Sequence, residues 1–247
     1  MGTPGKTVVI TGGTKGVGRA IAVHLATLGY DLALSYSSDE SAAEETGAAI
    51  RAAGGDFLVV KADGRRRESV EDLFRQTATR FGDIYAVIAN AGVENVESPF
   101  AEMAEDEMDR VVDTNFKGTF FTLQQAARSV VDGGRVIATA STIASYPPPG
   151  SGVYAGTKAA VRVMIEVLSL ELGPRGITVN SLNPGPVGGA GIFTHMSDEQ
   201  REAFEKQTPM GRLPRPEDLV GTAAFLLSDG AAMVSGHHLA VTGGFRI

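Results

Sequence analysis

KTVVITGGTKGVGRAIA, residues 6–22, decides how this chain is read. KTVVI (6–10) is a short, β-branched apolar run, the mark of a buried strand. GRAIAVHLATLG (18–29) has helical spacing and ends on glycine, so the strand feeds a helix. Between them Gly12, Gly13, Gly16 and Gly18 stand in the pattern TGxxxGxG. Glycines let a backbone turn tightly, and the unpaired N–H groups at a helix N-terminus attract phosphate. The literal G-x-G-x-x-G spacing is absent, so the weight lies in the placement, strand before and helix after. The loop Gly12, Thr14, Lys15, Gly16, Val17 and Gly18 is therefore the candidate dinucleotide cradle.

The alternation continues outward. DLALSY (31–36), FLVVKA (57–62), IYAVIAN (84–90), RVIATAS (135–141), ITVNSLN (177–183) and HHLAV (237–241) read as further strands. Helical patterns cover 39–53, 67–81, about 105–131 with a break near Gly118, 152–172 and 216–228. Strands that are apolar almost throughout, alternating with helices, predict an α/β fold. Its core is a doubly wound parallel sheet of about seven strands, helices on both faces. No linker or repeat divides residues 1–247, so one domain is expected. The irregular stretch is 184–215, rich in Gly and Pro with a helical patch at 198–206. A connection that long is expected to be functional, here a substrate lid over about 186–215.

Composition excludes several classes. The net charge of -7 argues against nucleic acid and anionic membrane as partners. Arg65-Arg66-Arg67 precedes a helix carrying Glu68, Glu71 and Asp72, and reads as solvated surface. There is no cysteine, and the histidines at 24, 195, 237 and 238 lack ligand spacing, so no metal is expected. No apolar run approaches the roughly 18 residues of a membrane span. The start, MGTPGK, lacks an apolar signal region, and Lys6 stands where a myristoylation signal needs Ser or Thr. The expectation is a cytoplasmic enzyme or binding protein.

The second strand ends in Tyr36-Ser37-Ser38, hydroxyls where a carboxylate would select NAD by its ribose. With Lys15 in the glycine loop, a cation plus hydroxyl donors suits a 2′-phosphate, which predicts NADP(H) over NAD(H). Asp39 lies just beyond and, bent back, would reverse that choice. Asp63, after the third strand, is placed to accept from an adenine amino group. Asn90-Ala91-Gly92, after the fourth, puts small residues where a cofactor passes. Both follow the C-terminal ends of strands, where open α/β sheets bind ligands.

YAGTK (154–158) puts Tyr154 and Lys158 at i and i+4, on one helix face. A cation near the phenol favours the phenolate, and a three-unit fall in tyrosine pKa needs about 4 kcal/mol. Ser141, at the end of the fifth strand, is a candidate donor to a substrate carbonyl while Tyr154 delivers the proton. Spacing alone is weak; the ordered company of glycine loop, NAG, Ser141, Tyr154 and Lys158 gives it force.

In that company the chain resembles the short-chain dehydrogenase/reductase family, the compact single-domain kind with a Rossmann fold. The resemblance runs from Lys6 to VTGGF through TGGTKGVG, NAG, Asn115 in DTNFKG, Ser141 in ATASTIAS, YAGTK and NPGPV (183–187). It is similar in tone to the 3-oxoacyl-carrier-protein reductases and the polyketide and hydroxynaphthalene ketoreductases. The resemblance implies Tyr154 as general acid in reduction and Lys158 as the charge that tunes it and holds the nicotinamide ribose. It implies Ser141 as the carbonyl polariser and an Asn115 side chain holding a relay water. It also implies cofactor contacts at Pro184, Gly185 and Val187, and a homotetramer or homodimer around helix 152–172. That helix carries Val161, Met164, Ile165 and Leu168 besides its core face. Two positions depart from the family. Gly188-Gly189-Ala190-Gly191 stands where a nicotinamide-contacting threonine is usual, with Thr194 only later, and Asp63-Gly64 replaces Asp-Val.

The expected function is NADPH-dependent reduction of a small-molecule ketone or aldehyde. The alternatives are an NAD-dependent alcohol dehydrogenase of the same fold and a non-catalytic cofactor-binding regulator. Ile143, Pro148, Phe193 and Met196 are the candidate substrate residues, pointing to an apolar ketone with acyl thioesters still open. His195 is a weaker candidate in the lid.

Overall fold

The structure, a computed structural model, describes residues 5–245 apart from the side chains of Ile192 and His195. The readings of the first four residues and of the His195 side chain therefore lie outside the described residues. Seven strands form one sheet: β1 (Thr7–Ile10), β2 (Asp31–Tyr36), β3 (Phe57–Lys61), β4 (Ile84–Ala89), β5 (Val130–Thr139), β6 (Thr178–Pro184) and β7 (His238–Val241). Their spatial order is β3-β2-β1-β4-β5-β6-β7, every neighbouring pair parallel. The order reverses direction between β1 and β4, which opens a crevice above the strand C-termini.

The strands are apolar because both faces are covered. All four residues of β1 and all six of β4 are buried. Val9, Val87 and Val136 pack on one side with Val161 and Ile165; Val8, Ile10, Ile88 and Ile137 pack on the other with Ile21, Leu25 and Leu226. Each such side chain stabilises by about 1.5–3 kcal/mol when fully buried. Helices α1 (Gly16–Thr27), α2 (Glu40–Ala52), α3 (Arg67–Phe81), α4 (Glu105–Val112), α5 (Thr119–Ser129), α6 (Gly152–Leu172), α7 (Asp198–Gln207) and α8 (Pro216–Leu227) complete the layers.

Three elements differ from the sequence reading. The fifth strand begins at Val130, not 135, because Ile84 pairs with Val130 and an irregularity lets the ladder resume at Arg135. The break in the helix over 105–131 is a π-helical turn at Asp113–Gly118, joining α4 to α5. On α6, Val161 and Ile165 are fully buried and Leu168 nearly so, in the chain's own core, with Met164 packed against it. The outward apolar residues are instead Val163, Val167 and Leu170, the last 79% exposed. Among the described residues no helix is long and apolar enough to cross a membrane, and no group of acids and histidines is placed to hold a metal ion.

Candidate active site

The glycine loop leaves β1 and enters α1 across the crevice. Gly16 takes a left-handed φ of 49°, open to glycine at no steric cost. Gly18 lies against the Gly12 carbonyl, and a Cβ there would collide with it and stand 2.6 Å from Asn90 Nδ2. Gly18 thus sets packing between loop and helix rather than lining the groove. Thr11 holds the opposite wall: its hydroxyl accepts from the Asn90 and Ala91 N–H groups at 3.1 and 3.2 Å. Asn90 returns Nδ2 to the Thr11 and Gly12 carbonyls at 3.3 and 3.2 Å.

A cavity of about 860 Å³ follows this crevice. It brings together Gly12, Thr14, Lys15, Gly16, Tyr36, Ser37, Ser38, Asp63, Asn90, Ala91 and Gly92. Sequence reasoning missed Arg19, Ala62 and Arg65 in its walls. Lys15 forms an ion pair with Asp39, whose carboxylate also caps α2 by accepting from Ala42 N at 3.0 Å. The Lys15 bond first, and then that cap, hold the Asp39 carboxyl below its ordinary range. Asp63 is gripped by Arg65, with Nε and Nη2 at 2.9 and 2.8 Å, which lowers its pKa likewise. The residues present fit a dinucleotide: a glycine cradle at a helix N-terminus, small residues along the path, and a cation with hydroxyls near the end of β2.

A second cavity of about 430 Å³ holds Ser141, Tyr154 and Lys158 with Val17, Pro184, Gly185, Val187 and Phe193. It shares Asn90, Gly92, Val93, Arg110, Ala190 and Gly191 with the first, so the two are neighbouring chambers of one cleft. Ile143, Pro148 and Met196 do not line it, whereas Glu94, Arg110 and Thr139, unforeseen from sequence, do. Thr194 lines the larger chamber, its hydroxyl donating to the Gly191 carbonyl at 2.8 Å.

Ser141 lies just past the end of β5 and opens a short helical turn by accepting from Ile143 N at 3.2 Å. It also hydrogen-bonds the Tyr154 phenol. Tyr154 and Lys158 rise on one face of α6, both buried. The ammonium does not reach the phenol by a hydrogen bond. It stands 5.8 Å from the ring centroid and donates to the Thr139 carbonyl at 2.8 Å. Thr139 in turn donates its hydroxyl to Asn90 Oδ1 at 3.1 Å, which ties the lysine to the glycine loop.

The net shift at Tyr154 runs opposite to the lowering expected. Burial, and then the Glu94 charge, push the Tyr154 phenol well up, against the smaller effect of the Ser141 bond. Burial likewise pulls Lys158 down to about 8, with Glu94 opposing. Desolvation penalises both charged forms more than proximity rewards them.

Asn115 also differs from its expected role. The π-turn aims its amide at the loop after β4, where Oδ1 accepts from Val93 N and Nδ2 donates to Val93 O, both at 2.8 Å. A further bond to Thr157 at 3.3 Å links it to α6. The side chain clamps the loop through these bonds.

The chain is similar to known proteins along nearly its whole length. The family described as enoyl-(acyl carrier protein) reductase matches residues 12–246. A short-chain type dehydrogenase/reductase of Picea abies is 36% identical, over 97% of this chain and 92% of the relative. The 3-oxoacyl-(acyl-carrier-protein) reductase of Staphylococcus aureus strain Mu50 is 33% identical over 97% of each chain. A solved structure of a putative dehydrogenase from Burkholderia cenocepacia with bound NADP superposes with a TM-score of 0.90. It is 32% identical and covers 98% of this chain and 94% of that one. With glycine loop, NAG, serine, tyrosine and lysine gathered in one cleft, the chain belongs to the short-chain dehydrogenase/reductase family, oxidoreductases that use a nicotinamide cofactor.

Proposed function

We propose that the chain is an NADP(H)-dependent reductase that delivers a hydride to a ketone or aldehyde carbonyl, with Tyr154 as the proton donor. The observation that carries this reading is the convergence of Ser141, Tyr154 and Lys158 in a chamber opening onto the groove of Lys15. The nicotinamide, when bound, supplies the hydride. Ser141 Oγ donates a hydrogen bond to the carbonyl oxygen, and Tyr154 Oη gives that oxygen its proton as the new C–H bond forms. A buried phenol with a raised pKa is protonated at neutral pH, the state a donor needs. Lys158, charged below about 8, stabilises through space the phenolate that donation leaves. In the oxidative direction the same phenolate takes the proton back.

Lys15, Ser37 and Ser38 around the groove, and the NADP in the Burkholderia structure, support NADP(H). One observation favours the second reading, an NAD-dependent alcohol dehydrogenase: Asp39 already pairs with Lys15, and a carboxylate there suits ribose hydroxyls. Michaelis constants for the two cofactors decide between them. NADPH should have the lower value, and Asp39→Asn, which frees Lys15, should lower it several-fold further. A clear preference for NADH in the wild type overturns the NADP assignment. The intact Ser–Tyr–Lys set speaks against a non-catalytic regulator. Outward Val163, Val167 and Leu170 on α6, with exposed Phe116 and Phe120, fit a homotetramer or homodimer. Light scattering tests this, and a monomeric mass would end it.

A further inference from the structure

The turn after β7 closes on the segment that walls the reacting chamber. Thr242 shapes it: its hydroxyl accepts from Gly244 N and its carbonyl from Phe245 N, both at 3.1 Å. Gly243 and Gly244 take left-handed φ values of 64° and 85°. The turn presses on the exit of α7. A Cβ on Gly243 would stand 2.9 Å from Thr208 Cγ2, and one on Gly244 3.0 Å from Pro209 Cγ. The Gly243 carbonyl also accepts from Met210 N at 3.1 Å. Pinned in this way, the turn brings the Phe245 ring centroid to 5.9 Å from that of Phe204 on α7. Phe204 in turn meets Phe193 edge to face, with centroids 5.3 Å apart and planes at 85°. Phe193 lines the chamber with Ser141, Tyr154 and Lys158.

Helices are held mainly by burying an apolar face, and α7 has no buried residue. Its ring contacts take on that task, since edge-to-face and offset pairs at these separations stabilise beyond the area they bury. The same turn reaches the other side of the chamber. Gly185 N donates to the Val241 carbonyl at 3.3 Å, and a Cβ on Gly185 would meet Thr242 at 3.3 Å. One turn thus seats two walls, the Pro184–Gly185 corner and Phe193. We propose that Phe245 is a positioning residue for substrate: through Phe204 it holds Phe193 against the chamber and so fits that wall to a flat apolar group, such as an aryl ring, attached to the reacting carbonyl. A fixed aromatic side chain is the surface on which such a ring packs best. This rests on the reductase reading, because the reacting carbonyl is the one that faces Ser141 and Tyr154.

The test uses binding rather than turnover. The whole protein is loaded with reduced cofactor (NADPH, or NADH where the Michaelis constants favour it), a state in which an alcohol does not react. It is then titrated calorimetrically with 1-phenylethanol, which carries a ring beside the alcohol carbon. Phe193→Ala removes the wall and should weaken binding about three- to tenfold, the range of one aromatic pair. Phe245→Ala, a change outside the chamber lining, should cause a similar loss. Phe245→Tyr keeps the ring and should bind as the wild type does. The double variant Phe193→Ala/Phe245→Ala should bind no more weakly than Phe193→Ala alone, because a residue that acts through Phe193 then has nothing to act on. Cofactor affinity should stay constant throughout, which reports an intact fold. Wild-type binding in Phe245→Ala, losses that multiply in the double variant, a loss in Phe245→Tyr, a parallel fall in cofactor affinity, or no binding by the wild type overturns the proposal. Turnover of acetophenone reads the reductase separately. Coupled losses without turnover support the ring relay against the reductase, and turnover with uncoupled losses does the reverse.

Discussion

The two ends of the cleft are built on different principles. At the glycine-loop end, position is set by backbone: strand ends, left-handed glycines, and the Thr11–Asn90 bonds across the β1/β4 crevice. At the other end, Gly188–Gly191 leads towards α7, which has no buried residue and packs through Phe204 on Phe193 and Phe245. The first end is rigid and reads a feature common to all dinucleotides. The second, on the proposed reading, is where a substrate would be met. A family can therefore hold its cofactor chemistry fixed while its substrates vary.

Four substitutions break or sharpen that contrast. Tyr154→Phe removes the proton donor without disturbing the cradle, so turnover should fall about 10²–10⁴-fold while cofactor affinity survives. Steady-state kinetics beside a cofactor titration checks it, and full turnover in that variant ends the proposed mechanism. At the rigid end, Gly18→Ala forces a Cβ into the Gly12 carbonyl, and overpacking of this kind should cost about 1–3 kcal/mol in denaturant unfolding and weaken cofactor binding. Lys158→Met acts through pH. In the folded chain the amine titrates near 8, against 10.5 when exposed. Between those values the unfolded chain holds a proton that the folded chain has released, so wild-type stability should rise with pH across that window. Thermal melts of Lys158→Met should lack the rise; a parallel pH profile would place the lysine in a wetter setting. Smallest of the four, Gly189→Ala in the lid meets nothing within 4 Å and bears only its φ of 76°. It should cost about 1 kcal/mol and leave cofactor affinity unchanged. An effect on cofactor binding as large as that of Gly18→Ala would mean the ends are not separable.

The same contrast explains what the sequence discloses. Strands buried on both faces write themselves as apolar runs, so six of the seven could be placed within a residue or two from pattern alone. The fifth carries Asp132-Gly133-Gly134 near its start, residues poor in strand propensity, and its pairing with β4 carries the strand through. Spacing correctly put Tyr154 beside Lys158, but desolvation is a property of the whole fold, and it reverses the expected direction of the tyrosine shift. A π-turn has no side-chain period to betray it, so only the family resemblance singles out Asn115, and its bonds to Val93 appear only in the fold. Glu94 was passed over because one acid after NAG carries no motif. The shared cavity and its charge felt at Tyr154 and Lys158 bring it to notice.

The Thr11 hydroxyl and the Asn90 amide do more than satisfy polar groups. With Thr139 they form one continuous brace from the first strand to the fifth and on to Lys158. A brace of this kind ties the two sides of the crevice to each other. Exchange of the Gly188–Gly191 segment for another sequence is then expected to leave the Thr11–Asn90–Thr139 bonds in place.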